Sequence, residues 1–425
     1  MAETIFALSS GAPPAAIAVV RISGPGAGGA LRALAGKLPP PRRATAAAIG
    51  DPASGAPLDR ALVLWLPGPG TATGEDVAEL HLHGGRAVIA AVEAALGRLP
   101  GLRRAEAGEF TRRAFANGKL DLAEAEGLAD LLSAETELQR ATALAMAGGT
   151  LSRAVEDWRR GVLALGAAVE AVLDFADEDD VAGLPEDFAE GCRTLAEAIG
   201  RWLGRPRAEA LREGFRVVLA GPPNVGKSSL FNALTESEAA ITSPIPGTTR
   251  DVIVRPVALD GVPFAFFDTA GLRERADDAI EAIGIGRARA ALERADLVLW
   301  LGPEGAGGKG WDIDARCDLP DRTAKRSPRH VVSARTGEGL DRLRADLVAA
   351  ARVALPAPGE AAIGERQARL LGECRDAVLA AAHESDPLLV AEALRLARLA
   401  LDRLVGRAGT EAMLDALFAR FCIGK

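Results

Sequence analysis

Apolar and polar positions divide the chain into segments of different character. Up to about residue 118, strand-like apolar runs at 16–22, 61–66 and 77–82 alternate with loops rich in Pro and Gly. From residue 120 to about 175, apolar positions recur every three or four residues, and the pattern resumes after residue 351. We therefore expect an α+β segment first, followed by helices on both sides of a middle segment.

The middle segment, about 212–350, has short apolar runs that are typical of buried strands, at 215–220, 264–267, 296–301 and 330–332. The predicted fold class is therefore multidomain α/β plus α. The expected domains are an N-terminal α+β domain at 1–118, a helical domain in two parts at 119–211 and 351–425, and an inserted α/β domain at 212–350. We expect the acidic run 174–180 to be a solvated loop between helices.

The loop after the strand 215–220 has the sequence Gly-Pro-Pro-Asn-Val-Gly-Lys-Ser-Ser at 221–229, before a helix expected to begin at Ser229. A glycine-rich turn lets backbone N–H groups converge on phosphate oxygens, while Lys227 can reach the β and γ phosphates and Ser228 can ligate Mg²⁺. The pattern predicts a nucleoside triphosphate site. Its loop residues are Asn224, Val225, Gly226, Lys227, Ser228 and Ser229.

Three more motifs follow in the order that a GTPase requires. Gly247-Thr248-Thr249-Arg250 is expected to present a Thr hydroxyl to Mg²⁺ and the γ phosphate. Asp268-Thr269-Ala270-Gly271 ends the strand 264–267, so Asp268 can hold the metal through water and Gly271 can donate its N–H to the γ phosphate. Ser333-Ala334-Arg335 follows the strand 330–332, as in the loop that contacts guanine. The four elements together predict a GTPase.

The residue after the Asp-x-x-Gly motif is Leu272, whereas small GTPases often place a water-orienting Gln there. Acidic residues that could orient water instead are Glu274, Asp277, Asp278 and Glu281, and no sequence rule selects among them. The side-chain carbonyl of Asn224 could hold a monovalent cation beside the β and γ phosphates, in place of an arginine finger. From its position alone, Asn224 could equally be a polar loop residue without this role.

Composition narrows the partners and the compartment. With 50 Lys and Arg against 58 Asp and Glu, the net charge is −8, so RNA contact would need local patches or a partner protein. No apolar stretch approaches about 18 residues and no basic-then-apolar leader begins the chain. The four cysteines are scattered without a Cys-x-x-Cys pair. We expect a protein of the reducing cytoplasm without disulfides, a zinc site or a membrane partner.

The motifs together resemble the MnmE (TrmE) family of tRNA-modification GTPases over nearly the whole chain. The resemblance rests on the phosphate loop, Gly-Thr-Thr-Arg-Asp at 247–251 and Asp-Thr-Ala-Gly-Leu-Arg at 268–273, within a split helical domain. It also rests on Val-Arg-Ile-Ser-Gly at 20–24, on the motifs at 73–80 and 108–122, and on the terminal Phe-Cys-Ile-Gly-Lys at 421–425.

The resemblance implies a homodimer held by N-terminal domains that bind a tetrahydrofolate derivative, in the 5-formyl or methylene form. It implies a GTPase that uses Mg²⁺ and K⁺ and works with MnmG, an FAD protein, in a heterotetramer or larger complex. Together they would install an aminomethyl-type (carboxymethylaminomethyl) group on C5 of the wobble uridine, position 34, of certain tRNAs. DNA is not an expected partner.

The resemblance also assigns residues. The folate contacts would be Arg21, Glu79, Lys119 and Lys425, and the Mg²⁺ ligands Ser228 and Thr249. Asn224 would hold K⁺ together with the segment 243–248, and Glu281 would orient water, with Asn224 and Lys227 also catalytic. The K⁺ and nucleotide residues of that segment are Ser243, Pro244, Ile245, Pro246, Gly247 and Thr248.

The guanine-binding motif departs from the family pattern Asn-Lys-x-Asp. Ala315 and Arg316 lie where Asn and Lys belong, Asp318 is retained, and Asp314 is a weaker substitute. An interval that usually holds a helix is shortened. Because a base contact and a packing side chain would be lost, we expect weaker nucleotide binding than in typical relatives.

Several alternatives stay open at this point. Arg21 and Glu79 could be strand-end surface charges, and Glu79, His81 and His83 could form a metal triad, although the histidines fit a turn before Gly84 better. Cys422 could be a nucleophile or a small buried residue. The chain as a whole could be a ribosome-assembly GTPase, or a folate-binding scaffold with an impaired GTPase.

Overall fold

The computed structural model of the chain describes residues 3–174, 183–236, 254–268, 291–320, 324–408, 411–419 and 421–424, with only the backbone at 412 and 413. The chain divides into two compact units. The first comprises residues 1–129 and 402–425, and the second comprises residues 130–401. Multidomain α/β plus α, the fold class expected from the sequence, is what the structure shows.

The first unit is built on a six-stranded sheet with the order β3-β4-β5-β2-β1-β6. Its strands pair antiparallel, except that β1 and β6 are parallel. The strands are β1 (Thr4–Leu8), β2 (Ile17–Ser23), β3 (Thr45–Gly50), β4 (Pro57–Leu66), β5 (Val77–His83) and β6 (Leu102–Arg104). The helices that begin in this unit are α1 (Ala27–Ala35), α2 (Arg86–Gly97), α3 (Glu109–Ala116) and α4 (Leu122–Leu132).

Apolar residues that alternate along the strands form the core of this sheet on one face. Val20 and Ile22 of β2 and Leu80 and Leu82 of β5 are fully buried there with residues of α1 and α2. The intervening residues, including Arg21 and Glu79, therefore point to the opposite face, because successive strand side chains alternate. A small cluster around Phe110 of α3 covers part of that face.

The second unit contains another six-stranded sheet, with the order β12-β11-β10-β7-β9-β8. All described neighbours are parallel except β8 and β9. The strands are β7 (Phe215–Ala220), β8 (Val254–Leu259), β9 (Val262–Asp268), β10 (Leu297–Trp300), β11 (Trp311–Ala315) and β12 (His330–Val332), and the helices packed with them include α9 (Lys227–Thr235) and α10 (Leu340–Ala354).

Helices before and after this sheet complete the chain. They are α5 (Glu137–Ala147), α6 (Thr150–Asp174), α7 (Phe188–Leu203), α8 (Ala208–Glu213), α11 (Glu365–His383), α12 (Pro387–Leu404) and α13 (Glu411–Phe418). The predicted helical region 120–175 is thus divided into α4, α5 and α6. A capping box explains where α5 begins, since the Thr136 hydroxyl accepts from Gln139 N–H and the Gln139 side chain accepts from Thr136 N–H. In the described part of the chain, no helix is long and apolar enough to span a membrane.

The connection between β10 and β11 consists of turns rather than a helix, at residues 301–310. Trp300 fills the space beside it: a Cβ on Gly307 would stand 2.4 Å from Trp300 Cγ. The Trp300 indole N–H donates to the carbonyl of Pro303 at 2.8 Å. This compact turn agrees with the shortened interval expected from the sequence.

Candidate nucleotide and folate sites

The phosphate loop follows β7, at the point where the strand order of the sheet switches from one side of β7 to the other. β7 pairs with β10 on one side and β9 on the other, and the pairing of Leu219 with Asp268 brings the end of β9 beside the loop. In such sheets, ligands bind outside the carboxyl ends of the strands at this switch point. Asp268 is buried, with 3 % of its surface exposed.

Gly226 determines where the helix after the loop begins. Its φ of +100° is left-handed, so the chain turns there and α9 begins at Lys227, two residues before the predicted Ser229. The first N–H groups of α9 therefore face the loop, where a phosphate oxygen could accept them. Ser228 and Ser229 are exposed at this end of the helix.

The Lys227 ammonium is held inside the loop. It donates to the carbonyl oxygens of Gly221 at 3.1 Å and Pro222 at 2.6 Å, and the residue is only 5 % exposed. This keeps a positive charge within the phosphate-binding turn. The Ser228 hydroxyl and the Asp268 carboxylate are hard oxygen ligands, and this donor set fits Mg²⁺.

Asn224 has left-handed backbone geometry, with φ +60°. Its backbone carbonyl accepts a hydrogen bond from Arg316 Nη1 at 2.8 Å. Its side chain is exposed, and the described residues give its amide no hydrogen-bond partner. The amide oxygen is thus available to a ligand of the loop.

The expected guanine residues come together in one cavity of about 210 Å³, bordered by Gly226, Ala315, Asp318 and Ala334. Asp318 Oδ1 accepts from the Ser333 hydroxyl at 2.6 Å, and Oδ2 accepts from Arg335 Nε at 2.7 Å. These bonds, that of Ser333 first, hold the pKa of the Asp318 carboxyl below its usual range. Asp314 is buried in β11 and is absent from the lining of this cavity.

Arg316 is the contributor that the sequence did not identify. Its position was expected to mean the loss of a packing side chain, but its Cγ lies 3.3 Å from where a Cβ on Gly226 would stand. Arg316 therefore packs on the phosphate loop and also donates to it. No clear signal in the sequence pointed to this contact, because strand β11, which ends directly before Arg316, was not predicted.

Several predicted nucleotide residues lie outside the described residues, and their roles stay predictions. They are Ser243, Pro244, Ile245, Pro246, Gly247, Thr248, Thr249, Thr269, Ala270, Gly271 and Glu281, together with the folate candidate Lys425.

Arg21 and Glu79 face each other across β2 and β5. Arg21 Nη2 lies 2.9 Å from Glu79 Oε1, and the side chains are 25 % and 16 % exposed. The interpretation as strand-end surface charges is therefore wrong, because both residues are in mid-strand and largely buried. Arg21 also lies 5.9 Å from the ring centroid of Phe110.

His81 and His83 belong to β5 rather than to a turn, which corrects the expectation from the sequence. His81 Nε2 lies 3.2 Å from Glu79 Oε2, while His83 Nδ1 lies 2.7 Å from Asp59 Oδ1. The three side chains thus do not converge, and among the described residues no group of three or more His, Cys, Asp or Glu could hold a metal.

Lys119 lies beside the loop 73–75. Its Cε is 3.1 Å from where a Cβ on Gly74 would stand. The Ser23 hydroxyl, two residues from Arg21, lies 2.7 Å from that of Thr73 and donates to Glu75 Oε2. Ser23 and Lys119 therefore border the same loop, and Arg21 lies two residues before Ser23 on β2.

The C-terminal segment reaches the same unit's sheet. Ile423 forms a bridge with Ala107, and the Ser9 hydroxyl donates to the carbonyl of Gly424 at 2.8 Å. Cys422 is an exposed free thiol, so the interpretation of a small buried residue is wrong.

Comparison with known proteins decides the family. The family model "GTP-binding protein TrmE N-terminus" matches residues 4–119, and "MnmE helical domain" matches residues 122–422. The chain belongs to the MnmE family. A tRNA modification GTPase MnmE from Novosphingobium aromaticivorans is 65% identical over the full length of both chains. A protein of the same name from Erythrobacter litoralis is 63% identical, and the alignment covers 100% of both chains. Another from Rhizorhabdus wittichii is 61% identical, and the alignment covers 100% of this chain and 97% of the relative.

Membership of the MnmE family confirms the prediction of a GTP hydrolase in tRNA modification, with GTP and Mg²⁺ as its ligands. It gives no support to a ribosome-assembly GTPase or to a folate scaffold with an impaired GTPase. The N-terminal match lies on the sheet that carries Arg21 and Glu79, and the helical match encloses the phosphate loop.

Proposed function

We propose that this MnmE-family GTPase is stimulated by K⁺ and works with an FAD-dependent MnmG-type partner. Together they install an aminomethyl-type (carboxymethylaminomethyl) group on C5 of the wobble uridine of certain tRNAs. The observation that carries the proposal is Asn224, whose exposed amide is presented by a left-handed turn of the phosphate loop in a chain that is similar to an MnmE protein over all the residues compared.

K⁺ would replace the arginine finger. Phosphoryl transfer develops negative charge between the β and γ phosphates, and a cation there can be worth about 10³ to 10⁵ in rate, as for an arginine finger. The Asn224 amide oxygen, with Ser243, Ile245 and Thr248, would hold this ion. Lys227 would bind the phosphates, and Glu281 would orient the attacking water. Mg²⁺, held by Ser228 and Thr249 and through water by Asp268, would neutralise phosphate charge.

Asp318 would select guanine. Its ionised carboxylate can accept hydrogen bonds from N1–H and the amino group of guanine, while adenine presents an acceptor at N1. Ser333 and Arg335 hold the carboxylate in place before the base arrives. Asp318 would contact the base and Lys227 the phosphates, so single substitutions at these two residues can test the two halves of the site separately.

A tetrahydrofolate derivative would bind through Arg21, Glu79, Lys119 and Lys425. Its glutamate carboxylates suit Arg and Lys, and its pterin N–H groups suit Glu79. The same sheet face carries Ile17 and Leu62, which are 60% and 49% exposed. These exposed apolar residues support a homodimer through the N-terminal domain, here proposed to span 1–118.

The remaining proposed domains are the helical parts at 119–211 and 351–425 and the inserted GTPase domain at 212–350. The complex with the MnmG-type partner would be a heterotetramer or larger and would act on tRNA in the cytoplasm. GTP hydrolysis would drive movement of the inserted domain, which the helices would transmit to the folate and tRNA sites.

The test is nucleoside analysis of tRNA from cells that lack the chain, complemented with the wild type, Asn224→Ala or an exposed control, Lys309→Ala. We expect the wobble-uridine modification to disappear without the chain, to return with the wild type and the control, and to remain low with Asn224→Ala. Normal wobble uridines in cells without the chain would refute the proposed modification role.

A further inference from the structure

A second cavity, of about 500 Å³, lies within residues 130–401, apart from every nucleotide and folate residue discussed above. Its walls come from the end of α4, from the segment between α4 and α5, from α5 itself, from α8 and from Ala362. A cavity of this size can enclose a small organic molecule. Neither the proposed hydrolysis nor the folate site uses it.

Thr142 of α5 lines this cavity and lacks a hydrogen-bond partner. The residue is 3 % exposed, and no described group is placed to bond its Oγ1. A buried hydroxyl without a partner is unfavourable, and such groups are rare in folded proteins. The orphan hydroxyl therefore points to a polar group that belongs in the cavity and is supplied by a ligand.

The charged groups around the cavity favour a cation. Asp130 and Arg212 neutralise each other through two hydrogen bonds of 2.8 Å. Glu135 has no ion-pair partner among the described residues. Its side chain lies at the exposed rim of the cavity. The part of it that is removed from water is enough to raise the pKa of its carboxyl. The Glu135 carboxylate at the mouth of the cavity thus has no cation beside it among the described residues.

Gln139, the other polar residue of the wall, is already engaged. Its side-chain oxygen accepts from the N–H groups of Glu135 and Thr136 at 2.9 and 3.0 Å, and its Nε2 donates to the carbonyl of Leu211 at 2.8 Å. These bonds fix the segment that bears Glu135 against α5 and α8. The cavity is therefore held open by a hydrogen-bonded wall.

The rest of the lining is apolar and includes Ala143, Met146, Leu211 and Leu132. We propose that this cavity is a binding site for a small amphipathic amine, with its apolar body against Met146 and Leu211 and its ammonium group between Glu135 and Thr142. Both oxygens are acceptors, which suits an ammonium donor. The Leu138 N–H of the same helix donates to Gly261 O in the β8–β9 turn at 3.0 Å, so the helix that lines the cavity is bonded to the sheet that carries the phosphate loop.

The test uses the full chain and three probes of one shape and different charge: tryptamine, the neutral tryptophol and the anionic indole-3-acetate. Titration followed by NMR should give tryptamine the highest affinity and indole-3-acetate the lowest. Glu135→Gln should weaken tryptamine by about fivefold and change tryptophol little, since one partly exposed charge contact is lost. Thr142→Val should weaken tryptamine and tryptophol while raising Tm, because it removes the orphan hydroxyl.

Ala143→Leu should fill the cavity and abolish binding of all three probes, and Leu132→Trp at the exposed rim is the alternative if that variant does not fold. Glu137→Gln and Leu144→Ala, on the same helix and outside the lining, should leave the affinities unchanged. Absence of saturable tryptamine binding, equal affinity for the three probes, or wild-type affinity in the Glu135 and Thr142 variants would overturn the proposal.

Discussion

The guanidinium of Arg316 is hydrogen-bonded to the backbone carbonyl of Asn224, with 2.8 Å between Nη1 and the oxygen. Both residues are left-handed, with φ +64° and +60°, which side-chain-bearing residues adopt at an energetic cost. The bond joins the turn after β11, on the base side, to the phosphate loop. It can therefore keep Asn224 in the orientation that a cation site would need.

Replacing Arg316 should weaken GTP binding. In Arg316→Ala the Asn224 carbonyl loses its partner and Gly226 loses a packed side chain, so we expect about fivefold lower affinity, or about 1 kcal/mol. Arg316→Lys should be intermediate, since Lys keeps the charge but lacks the planar fork of donors. Titration with a fluorescent GTP analogue measures this, with exposed Lys309→Ala as control. Wild-type affinity in Arg316→Ala would contradict the prediction.

Asn224→Ala should remove the response to K⁺. The wild type should hydrolyse GTP faster in K⁺ than in Na⁺ buffer, whereas the variant should show similar slow rates in both. Its rate in K⁺ should fall by at least about 10³-fold, the lower end of the contribution expected of the cation. Multiple-turnover hydrolysis in matched chloride buffers measures the ratio, and Pro223→Ala, exposed in the same loop, is the control. Equal wild-type rates in both salts would rule out the cation mechanism.

Asp318→Asn should reduce the preference for GTP over ATP. The side chain loses one of its two acceptor oxygens, so the Kd for GTP should rise at least about tenfold, while that for ATP should change little. The pKa of Asp318 is lowered, so the carboxylate stays ionised and its contribution to binding should be constant from pH 5 to 8, falling only below about pH 4. Competition binding at several pH values measures both effects. Asp341→Asn, fully exposed at the start of α10, is the control.

The strand, turn and helix of the phosphate loop were predictable because their residues are contiguous in the sequence. The guanine side of the site was harder to predict from the sequence. The Arg316–Asn224 bond joins residues 92 positions apart and depends on two left-handed turns. The sequence predicted that α9 begins at Ser229, but the helix begins two residues earlier, at Lys227. The reason is that the chain already turns at Gly226, whose backbone is left-handed.

Strand β11 was not predicted because charge interrupts its apolar pattern. Asp312 and Asp314 alternate with Trp311 and Ile313 in a strand between two parallel neighbours. The structure explains how Asp312 is tolerated, since Lys325, distant in sequence, donates to it at 2.9 Å. In contrast, buried apolar residues alternate clearly with more exposed ones along the paired strands β2 and β5, and the central portions of both strands were predicted.

Glu79→Gln should weaken binding of 5-formyltetrahydrofolate. The glutamine keeps one acceptor for Arg21 but loses the negative charge that pterin donors would meet, and we expect about tenfold lower affinity, since hydrogen bonds to charged groups are the stronger ones. Isothermal titration calorimetry measures the affinity, with Glu93→Gln, an ion-paired residue on α2, as control. An unchanged affinity in Glu79→Gln would argue against the proposed folate site.

The ion pair of Lys325 and Asp312 should stabilise the turn that replaces a helix between β10 and β11. Lys325 is 9 % exposed at its side chain and also donates to the carbonyl of Trp300 at 3.1 Å. Lys325→Met keeps the apolar stem but leaves Asp312 partly buried without its cation. We expect the free energy of unfolding to fall by about 2 kcal/mol, less than for a fully buried pair. Adding Asp312→Asn to Lys325→Met should restore part of the lost free energy of unfolding.

The loss should depend on pH with a defined sign. Burial raises the pKa of Asp312, but the bonds from Lys325 and the Gly305 N–H lower it overall. A lowered carboxyl pKa contributes stability that is complete above the unfolded value, about 4, and is lost as the pH falls through the folded pKa. The difference between the wild type and Lys325→Met should therefore shrink from pH 7 to pH 3.5. Urea unfolding followed by tryptophan fluorescence, to which Trp300 and Trp311 beside the pair contribute, measures the difference, with Lys309→Met as control. A difference that stays constant with pH would show that the pair does not carry this stability.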